Sequence, residues 1–275
     1  MASLSPAETE ELTAFAERLA NRARDAILPF FRQSFRLENK DSGGFDPVTE
    51  ADSAAEEAIR AEIAREFPDH GILGEEFGET PSDGPFRWVI DPIDGTRAFM
   101  AGLPLWTTLI ALEREGAPVI GVIDQGFTDE RWIGDGKAAR YIRNGASRML
   151  RTRSCRALGV ATIVATDPRP GHMFDEREAE IFTAIADSAR LARFGTDAYA
   201  YAMLAGGNVD IVMEAGLQRF DVAALIPVVE GAGGRMTGWT EPDARDGGRV
   251  LAVGDPALHA EISDCVARLE RKFAE

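Results

Sequence analysis

Two aspartates in the middle of the chain have a spacing that suits metal binding. Asp91 and Asp94 follow the largely apolar run 87–90. Pro92 and Gly95 favour an abrupt turn, so both carboxylates are predicted to project from one tight loop at the end of a strand. Two carboxylates held this close need a cation. Oxygen ligands suit a hard divalent ion, so the segment predicts a Mg²⁺ site, with Mn²⁺ as a possible substitute.

The two residues that follow Asp94 are suited to a phosphate group. Gly95 lets the backbone approach a ligand closely, and Thr96 offers a hydroxyl and an amide at the predicted start of a short helix. Phosphate oxygens fit such a position. Taken alone, the same loop is also consistent with an Asx turn in which an aspartate caps the backbone. These residues by themselves leave both interpretations open.

The sequence does not favour a site built on histidine or cysteine side chains. The three histidines, His70, His172 and His259, and the two cysteines, Cys155 and Cys265, are widely separated in the sequence. This dispersal argues against a zinc site and against a disulfide framework, as expected in a reducing compartment. The paired aspartates lack the D-x-D-x-T spacing of aspartyl-phosphate enzymes, and the cysteines lack the glycine-rich loop of cysteine phosphatases.

The composition favours an acidic globular enzyme. The chain has 275 residues, 45% of them hydrophobic, and a formal net charge of −16 at pH 7. Such a charge repels nucleic acid and anionic membranes over most of the surface. Residues 1–11 are polar, and no run approaches the roughly 18 apolar residues of a membrane span. We therefore expect a cytoplasmic protein without nucleic-acid or membrane partners.

Apolar periodicity predicts which elements position these residues. Helical spacing indicates a first helix over 12–31, bent near its end by Pro29, and a second from about Thr49 or Asp52 to Phe67. Strand-like segments joined by short turns over 86–143 indicate an antiparallel meander.

Beyond residue 156 strands and helices alternate, which is typical of α/β folds. Helices are predicted there at 175–190, 197–205 and 221–229, with a further helix at the end of the chain. The predicted fold class is therefore layered α/β. We expect one domain over 1–275, with an N-terminal half of about 1–155 and a C-terminal half of about 156–275.

Four segments, taken together, resemble the inositol monophosphatase family: 46–52, 74–76, 88–96 and 220–224. The resemblance spans most of the chain. It implies an αβαβα sandwich with an N-terminal, mostly antiparallel sheet and a C-terminal mixed α/β layer, and a homodimer. It also implies that small phosphate monoesters are hydrolysed by metal-activated water.

The resemblance implies a set of metal ligands, residue by residue. Glu75, Asp91 and the carbonyl of Ile93 would hold a first Mg²⁺, while Asp91, Asp94 and Asp221 would hold a second. Glu75 with water would complete a weaker third position. The implied stoichiometry is thus two or three ions in each active site.

The resemblance also implies the groups that act on water. The Thr96 hydroxyl, paired with the acid Asp52, would orient and deprotonate the attacking water. Asp52 followed by Ser53 is equally typical of a helix N-cap, so that interpretation stays open. Glu76 would either support its neighbours or be a solvated acid.

Segments 97–106, 195–201 and 218–234 resemble the histidinol-phosphate phosphatase branch of the family. L-Histidinol phosphate, an intermediate of histidine biosynthesis, carries an ammonium group and an imidazole, which suit acidic receptors. Asp197 and Glu214 are the predicted receptors, although Asp197 could instead cap a helix.

Phosphate is expected at Gly95 and Thr96, and the role of Arg97 stays open. An inositol-1-phosphate phosphatase or a broad sugar-phosphate phosphatase is the alternative enzyme. A regulatory binding protein on the same fold is the alternative from another class, and the intact set of acids argues against it.

Overall fold

A computed structural model describes residues 4–33, 47–81 and 83–272, in which helices alternate with two β-sheets. The helices are α1 (Pro6–Ile27), α2 (Pro47–Glu66), α3 (Thr96–Met100), α4 (Glu176–Ala186), α5 (Tyr199–Ala205), α6 (Arg219–Val222), α7 (Leu225–Gly231) and α8 (Pro256–Lys272), with a 3₁₀ turn at Leu158–Val160. The strands are β1 (Gly71–Gly74), β2 (Gly78–Thr80), β3 (Phe86–Asp94), β4 (Thr107–Arg114), β5 (Ala117–Gln125), β6 (Glu130–Gly134), β7 (Ala139–Arg143), β8 (Ala146–Met149), β9 (Thr162–Ala165), β10 (Leu191–Phe194), β11 (Ile211–Leu217), β12 (Arg235–Gly238) and β13 (Gly248–Val253).

The first sheet has the order β2-β1-β3-β4-β5-β6-β7-β8. Its neighbours pair antiparallel except β1 with β3, which are parallel. The predicted meander is confirmed. The second sheet has the order β10-β9-β11-β13-β12, with β9 parallel to both of its neighbours and β13 antiparallel to both of its own. The predicted mixed layer is confirmed too.

Side chains that alternate along β3 show how the layers are stacked. Trp88 and Ile90 pack with α1 and α2 in one buried cluster, whereas Val89 packs on the opposite face with α5, α7 and residues of the second sheet. A third cluster joins the far face of the second sheet to α4 and α8. The order is therefore helices, sheet, helices, sheet, helices, which is the predicted αβαβα sandwich.

The two N-terminal helices differ from the prediction at their ends. The first ends at Ile27, before Pro29, and Ser5 and Glu8 form a capping box at its start. The second begins at Pro47. Asp52 therefore lies inside α2, and the interpretation of Asp52 as its N-cap is wrong. Asp46, part of one family segment, lies outside the described residues.

Two C-terminal predictions also needed correction. The helix predicted over 175–190 ends at Ala186, and the edge strand Leu191–Phe194 follows it, held by parallel pairing with β9. The helix predicted over 221–229 is divided into α6 and α7. Pro227 lies in the first turn of α7, where its missing N–H leaves no helical bond unmade.

None of the helices among the described residues is both long and apolar enough to cross a bilayer.

Candidate active site

A β-bulge brings Asp91 and Asp94 to the same side of their strand. In a regular strand, residues three positions apart face opposite sides. Asp91 pairs with Leu109 and Asp94 pairs with Thr107, so the register against β4 shifts by one residue between them. The Thr108 hydroxyl donates to the Pro92 carbonyl oxygen at 2.8 Å within this bulge. The predicted tight loop is thus a bulged end of β3 itself.

Asp221 joins the two aspartates from the other half of the chain. Carboxylate oxygens of Asp91, Asp94 and Asp221 lie within 4.8 Å of one another. Asp221 sits in the single turn of α6, where its Oδ2 accepts a hydrogen bond from the Gln218 amide at 2.6 Å.

A buried salt bridge anchors this turn to the first sheet. Arg219 Nε donates to the buried Glu113 Oε1 at 2.9 Å, and Arg219 Nη2 donates to the Gly116 carbonyl at 2.7 Å. Arg87 holds the other Glu113 oxygen, with Nη2 at 2.7 Å from Oε2. The position of Asp221 therefore depends on the hairpin between β4 and β5.

Glu75 approaches the cluster from the turn after β1. The charge of Glu75 is one of those that raise the pKa of Asp91. The turn is held by Glu56, a fully buried residue of α2 that accepts from the amides of Glu76 at 2.8 Å and Phe77 at 3.2 Å. A Cβ on Gly74 would lie 1.9 Å from Glu56 Oε1, so a larger residue there would displace the Glu56 carboxylate.

The sequence analysis did not identify Glu56, although the acid lies one helical turn after Asp52 on α2. Asp52 itself is buried, and its charge is among those that raise the pKa of Asp91. Glu76 is exposed and contacts Ser53 at 3.5 Å. Its role as a supporting or solvated acid stays a prediction.

Burial and the charges of neighbouring acids raise the pKa values of the acids in the cluster. The pKa of Asp91 is raised well above its usual range by burial and then by the charges of Asp94, Glu75, Asp221 and Asp52. Burial likewise raises the pKa of Asp94 strongly, and it raises the pKa of Asp221 to about 6. Without a cation, these carboxylates oppose one another's ionisation.

The donor set fits a hard divalent cation. Asp91 Oδ1 is buried and has no hydrogen-bond partner among the described residues, and the ligands around it are all oxygens. Such a cluster suits Mg²⁺ or Mn²⁺ and does not suit a thiophilic metal.

Gly95 and Thr96 form the start of a short helix beside this cluster, as predicted. Gly95 has φ 82° and is the N-cap of α3. A Cβ there would lie 3.2 Å from the Asp197 side chain, so both the backbone angle and the space call for glycine. Thr96 is exposed, and its hydroxyl donates to the carbonyl of the buried Ile93 at 3.4 Å.

A cavity of about 270 Å³ opens next to the carboxylates. Most of the residues predicted from the sequence line it, namely Glu75, Asp94, Gly95, Thr96, Arg97, Asp197, Glu214 and Asp221. The rest of the lining was not predicted and consists of Thr166, Met173, Ala198, Tyr201, Leu217 and Leu225. Thr166, Met173 and Leu217 lie outside the segments that carry the resemblance. Ala198, Tyr201 and Leu225 lie within 195–201 and 218–234 but had no predicted role.

Glu214 is the most deeply buried acid of the substrate side. Its Oε1 accepts from the Thr166 amide at 2.7 Å and from the Thr166 hydroxyl at 2.8 Å. Its Oε2 is buried without a hydrogen-bond partner among the described residues. Burial raises the pKa of Glu214 to about 8.

Asp197 and Arg97 lie at the same cavity. Asp197 has φ 44°, and the helix that follows has Ala198 as its N-cap without a side-chain cap bond. The helix-cap interpretation of Asp197 is therefore wrong. Burial raises the pKa of Asp197 to about 6, while the charge of Arg97 opposes that shift. Arg97 is exposed and pairs with Asp167 at 3.3 Å.

The layered fold and the acidic cavity together define the class: an αβαβα sandwich whose carboxylate cluster could hold a metal ion. Residues 8–271 match the model of the inositol monophosphatase family, and the chain belongs to that family.

Known relatives of the chain carry several phosphatase names. The bifunctional phosphatase IMPL2 of Arabidopsis thaliana is 39% identical, over 94% of this chain and 75% of its own length. A histidinol-phosphatase of Chlorobaculum parvum is 37% identical, over 93% of this chain and 96% of its own. An inositol-1-monophosphatase of Rhizobium meliloti is 33% identical, over 85% of each chain.

A solved inositol monophosphatase from Zymomonas mobilis superposes with a TM-score of 0.85 and 39% identity, covering 96% of this chain and 100% of that one.

Proposed function

We propose that this phosphatase depends on Mg²⁺ and hydrolyses L-histidinol phosphate to L-histidinol and inorganic phosphate in histidine biosynthesis. The observation that carries the proposal is that Asp197 and Glu214 line the same cavity as the carboxylate cluster. Acidic side chains beside the reacting phosphate suit an alcohol that bears an ammonium group. The histidinol-phosphatase of Chlorobaculum parvum, at 37% identity, supports this choice.

In the proposed reaction, each residue holds a substrate atom, a cation or a proton. Glu75, Asp91, Asp94, Asp221 and the carbonyl of Ile93 would hold two or three divalent ions. When bound, these ions supply charge neutralisation at the phosphate and a lowered pKa for water. With such ions bound, the carboxylates would no longer repel a phosphate anion.

The protein's other groups would position the substrate and the attacking water. Gly95 and Thr96 present the amides at the start of α3 to the phosphate, and Arg97 lies at the rim of the cavity. The Thr96 hydroxyl, paired with Asp52, would orient and deprotonate the attacking water. Their pairing is the part of the proposal that rests on family resemblance alone. The homodimer and the cytoplasmic location likewise stay predictions.

An inositol-1-phosphate or broad sugar-phosphate phosphatase is the second candidate. The unpartnered Oε2 of Glu214 can accept from a neutral hydroxyl as well as from an ammonium group. The inositol-1-monophosphatase of Rhizobium meliloti, at 33% identity, supports this alternative.

Phosphate release distinguishes the candidates. The substrates are L-histidinol phosphate, inositol-1-phosphate, fructose-1,6-bisphosphate and 3′-phosphoadenosine-5′-phosphate, each with and without Mg²⁺. We expect the highest kcat/KM with L-histidinol phosphate, and only with Mg²⁺. A higher kcat/KM with any of the other three would contradict the substrate assignment. Binding without turnover of all four would favour a regulatory protein.

A further inference from the structure

One tyrosine that lines the cavity has a hydroxyl without a hydrogen-bond partner among the described residues. Tyr201 on α5 is 2% exposed and lines the cavity, and its hydroxyl has no hydrogen-bond partner among the described residues. A buried hydroxyl without a partner destabilises a protein, so natural interiors rarely keep one without a reason. Phenylalanine would fill the same space without that cost.

Two other tyrosines nearby show the usual arrangement. Tyr199, on the same helix, donates to Glu130 Oε2 at 2.9 Å, and Tyr141 donates to Glu130 Oε1 at 2.7 Å. Both hydroxyls therefore have a partner within the protein. The difference between Tyr199 and Tyr201 is one of direction, because Tyr201 lines the cavity and Tyr199 does not.

A matching acceptor lines the same cavity. Glu214 Oε2 is also buried and without a partner among the described residues, while its other oxygen is held by Thr166. Among the described residues that line the cavity, the buried atoms without a partner are thus one donor and one acceptor. Asp94 and Asp221 of the carboxylate cluster line this cavity together with Tyr201 and Glu214.

We propose that Tyr201 is a specificity-determining residue whose hydroxyl donates to an acceptor atom in the alcohol portion of the substrate, beside the Glu214 oxygen that receives a donor. The inference rests on the proposed phosphatase function and adds a requirement to it. The preferred alcohol carries both a hydrogen-bond donor and an acceptor, such as a hydroxyl or a ring nitrogen, close to the phosphate ester.

Tyr201→Phe removes the hydroxyl and little else. With L-histidinol phosphate, we expect kcat/KM to fall roughly 10- to 100-fold. With phenyl phosphate, whose alcohol portion offers no acceptor besides the ester oxygen, kcat/KM should stay within about twofold of wild type. The melting temperature of the metal-free variant should be unchanged or higher, because no internal hydrogen bond is lost.

Tyr199→Phe is the matched control from the same helix. It removes a hydroxyl bonded to Glu130, so its melting temperature should fall while the ratio of kcat/KM for the two substrates stays as in wild type.

Two results would overturn the proposal. An equal loss of kcat/KM with both substrates would place the hydroxyl at the shared phosphate. A fall in the melting temperature of Tyr201→Phe as large as that of Tyr199→Phe would show that the hydroxyl is bonded within the free protein.

The melting measurement needs no substrate, so it decides about Tyr201 even if L-histidinol phosphate is not turned over. In that case the best substrate of the four-compound panel takes its place in the comparison with phenyl phosphate.

Discussion

At the scale of single residues, burial raises the pKa values of the acids around the cavity. The pKa of Glu214 is raised to about 8 from an ordinary value of 4.5, chiefly by burial. Between these two pH values, the native state keeps a proton that the unfolded chain has lost. The contribution of Glu214 to the free energy of unfolding is therefore greatest below about pH 4.5 and decreases as the pH rises towards 8.

Glu214→Gln removes this pH dependence while keeping the shape of the side chain. The stability of the variant relative to wild type is expected to increase from about pH 4.5 to about pH 8, because wild type alone must ionise a buried acid. Denaturant unfolding of the metal-free proteins across this range measures the difference.

Glu57→Gln, at an exposed position of α2, is the control and should show no comparable trend. A relative stability of Glu214→Gln that decreases with rising pH would contradict the assignment of a raised pKa to Glu214.

Asp94→Asn tests the metal cluster at the same scale. The substitution removes an anionic ligand, so turnover should fall roughly 100-fold or more while the fold is kept. Loss of one buried negative charge also relieves repulsion with Asp221 and Asp197, so the metal-free variant should be at least as stable as wild type. Phosphate release, Mg²⁺ binding by calorimetry and thermal melting measure these three effects. Near-normal turnover with unchanged Mg²⁺ binding would show that Asp94 is not a ligand.

At the scale of elements, the site depends on how the turns that carry the candidate metal ligands are anchored. The turn that carries Glu75 is tied to α2 by Glu56, and the turn that carries Asp221 is tied to the first sheet by Arg219. Neither anchor touches the cavity, yet each fixes the distance between carboxylates that a cation must bridge.

Glu56→Gln tests this anchoring. An amide can no longer accept from both backbone N–H groups, because one carboxylate oxygen is replaced by an NH₂ donor. The Mg²⁺ concentration for half-maximal activity is expected to rise roughly 10-fold, with a smaller change in kcat at saturating Mg²⁺.

Glu62→Gln is the control, because Glu62 is also buried on α2 but pairs with Arg65 and Arg22 away from the turn. The anchoring model would be wrong if both variants showed the same Mg²⁺ dependence.

Some of these elements could be predicted from the sequence. Apolar strands and amphipathic helices follow from side-chain periodicity, which correctly indicated α1, α2 and the meander. The bulge between Asp91 and Asp94 could not be predicted, because it is defined by the register against β4 rather than by local residue preference. The break between α6 and α7 could have been suspected from Pro227 alone.

At the scale of the whole molecule, the site is assembled from distant parts of the chain. Asp52 lies on α2, Glu75 follows β1, Asp91 and Asp94 end β3, and Asp221 belongs to α6. The family resemblance predicted that these acids act together, and the three aspartates Asp91, Asp94 and Asp221 do converge. Thr166 and Glu56 lie outside the segments that carry the resemblance, and Tyr201 lies within 195–201 without a predicted role, so only the folded structure revealed that they support the site.

We propose that this assembled carboxylate cluster makes the protein a Mg²⁺-dependent phosphatase. The most direct test is phosphate release from L-histidinol phosphate by EDTA-treated wild-type protein as Mg²⁺ is added back. We expect essentially no release without the ion and a saturable rise in rate as Mg²⁺ fills the cluster. A rate that is the same in EDTA as in saturating Mg²⁺ would contradict it.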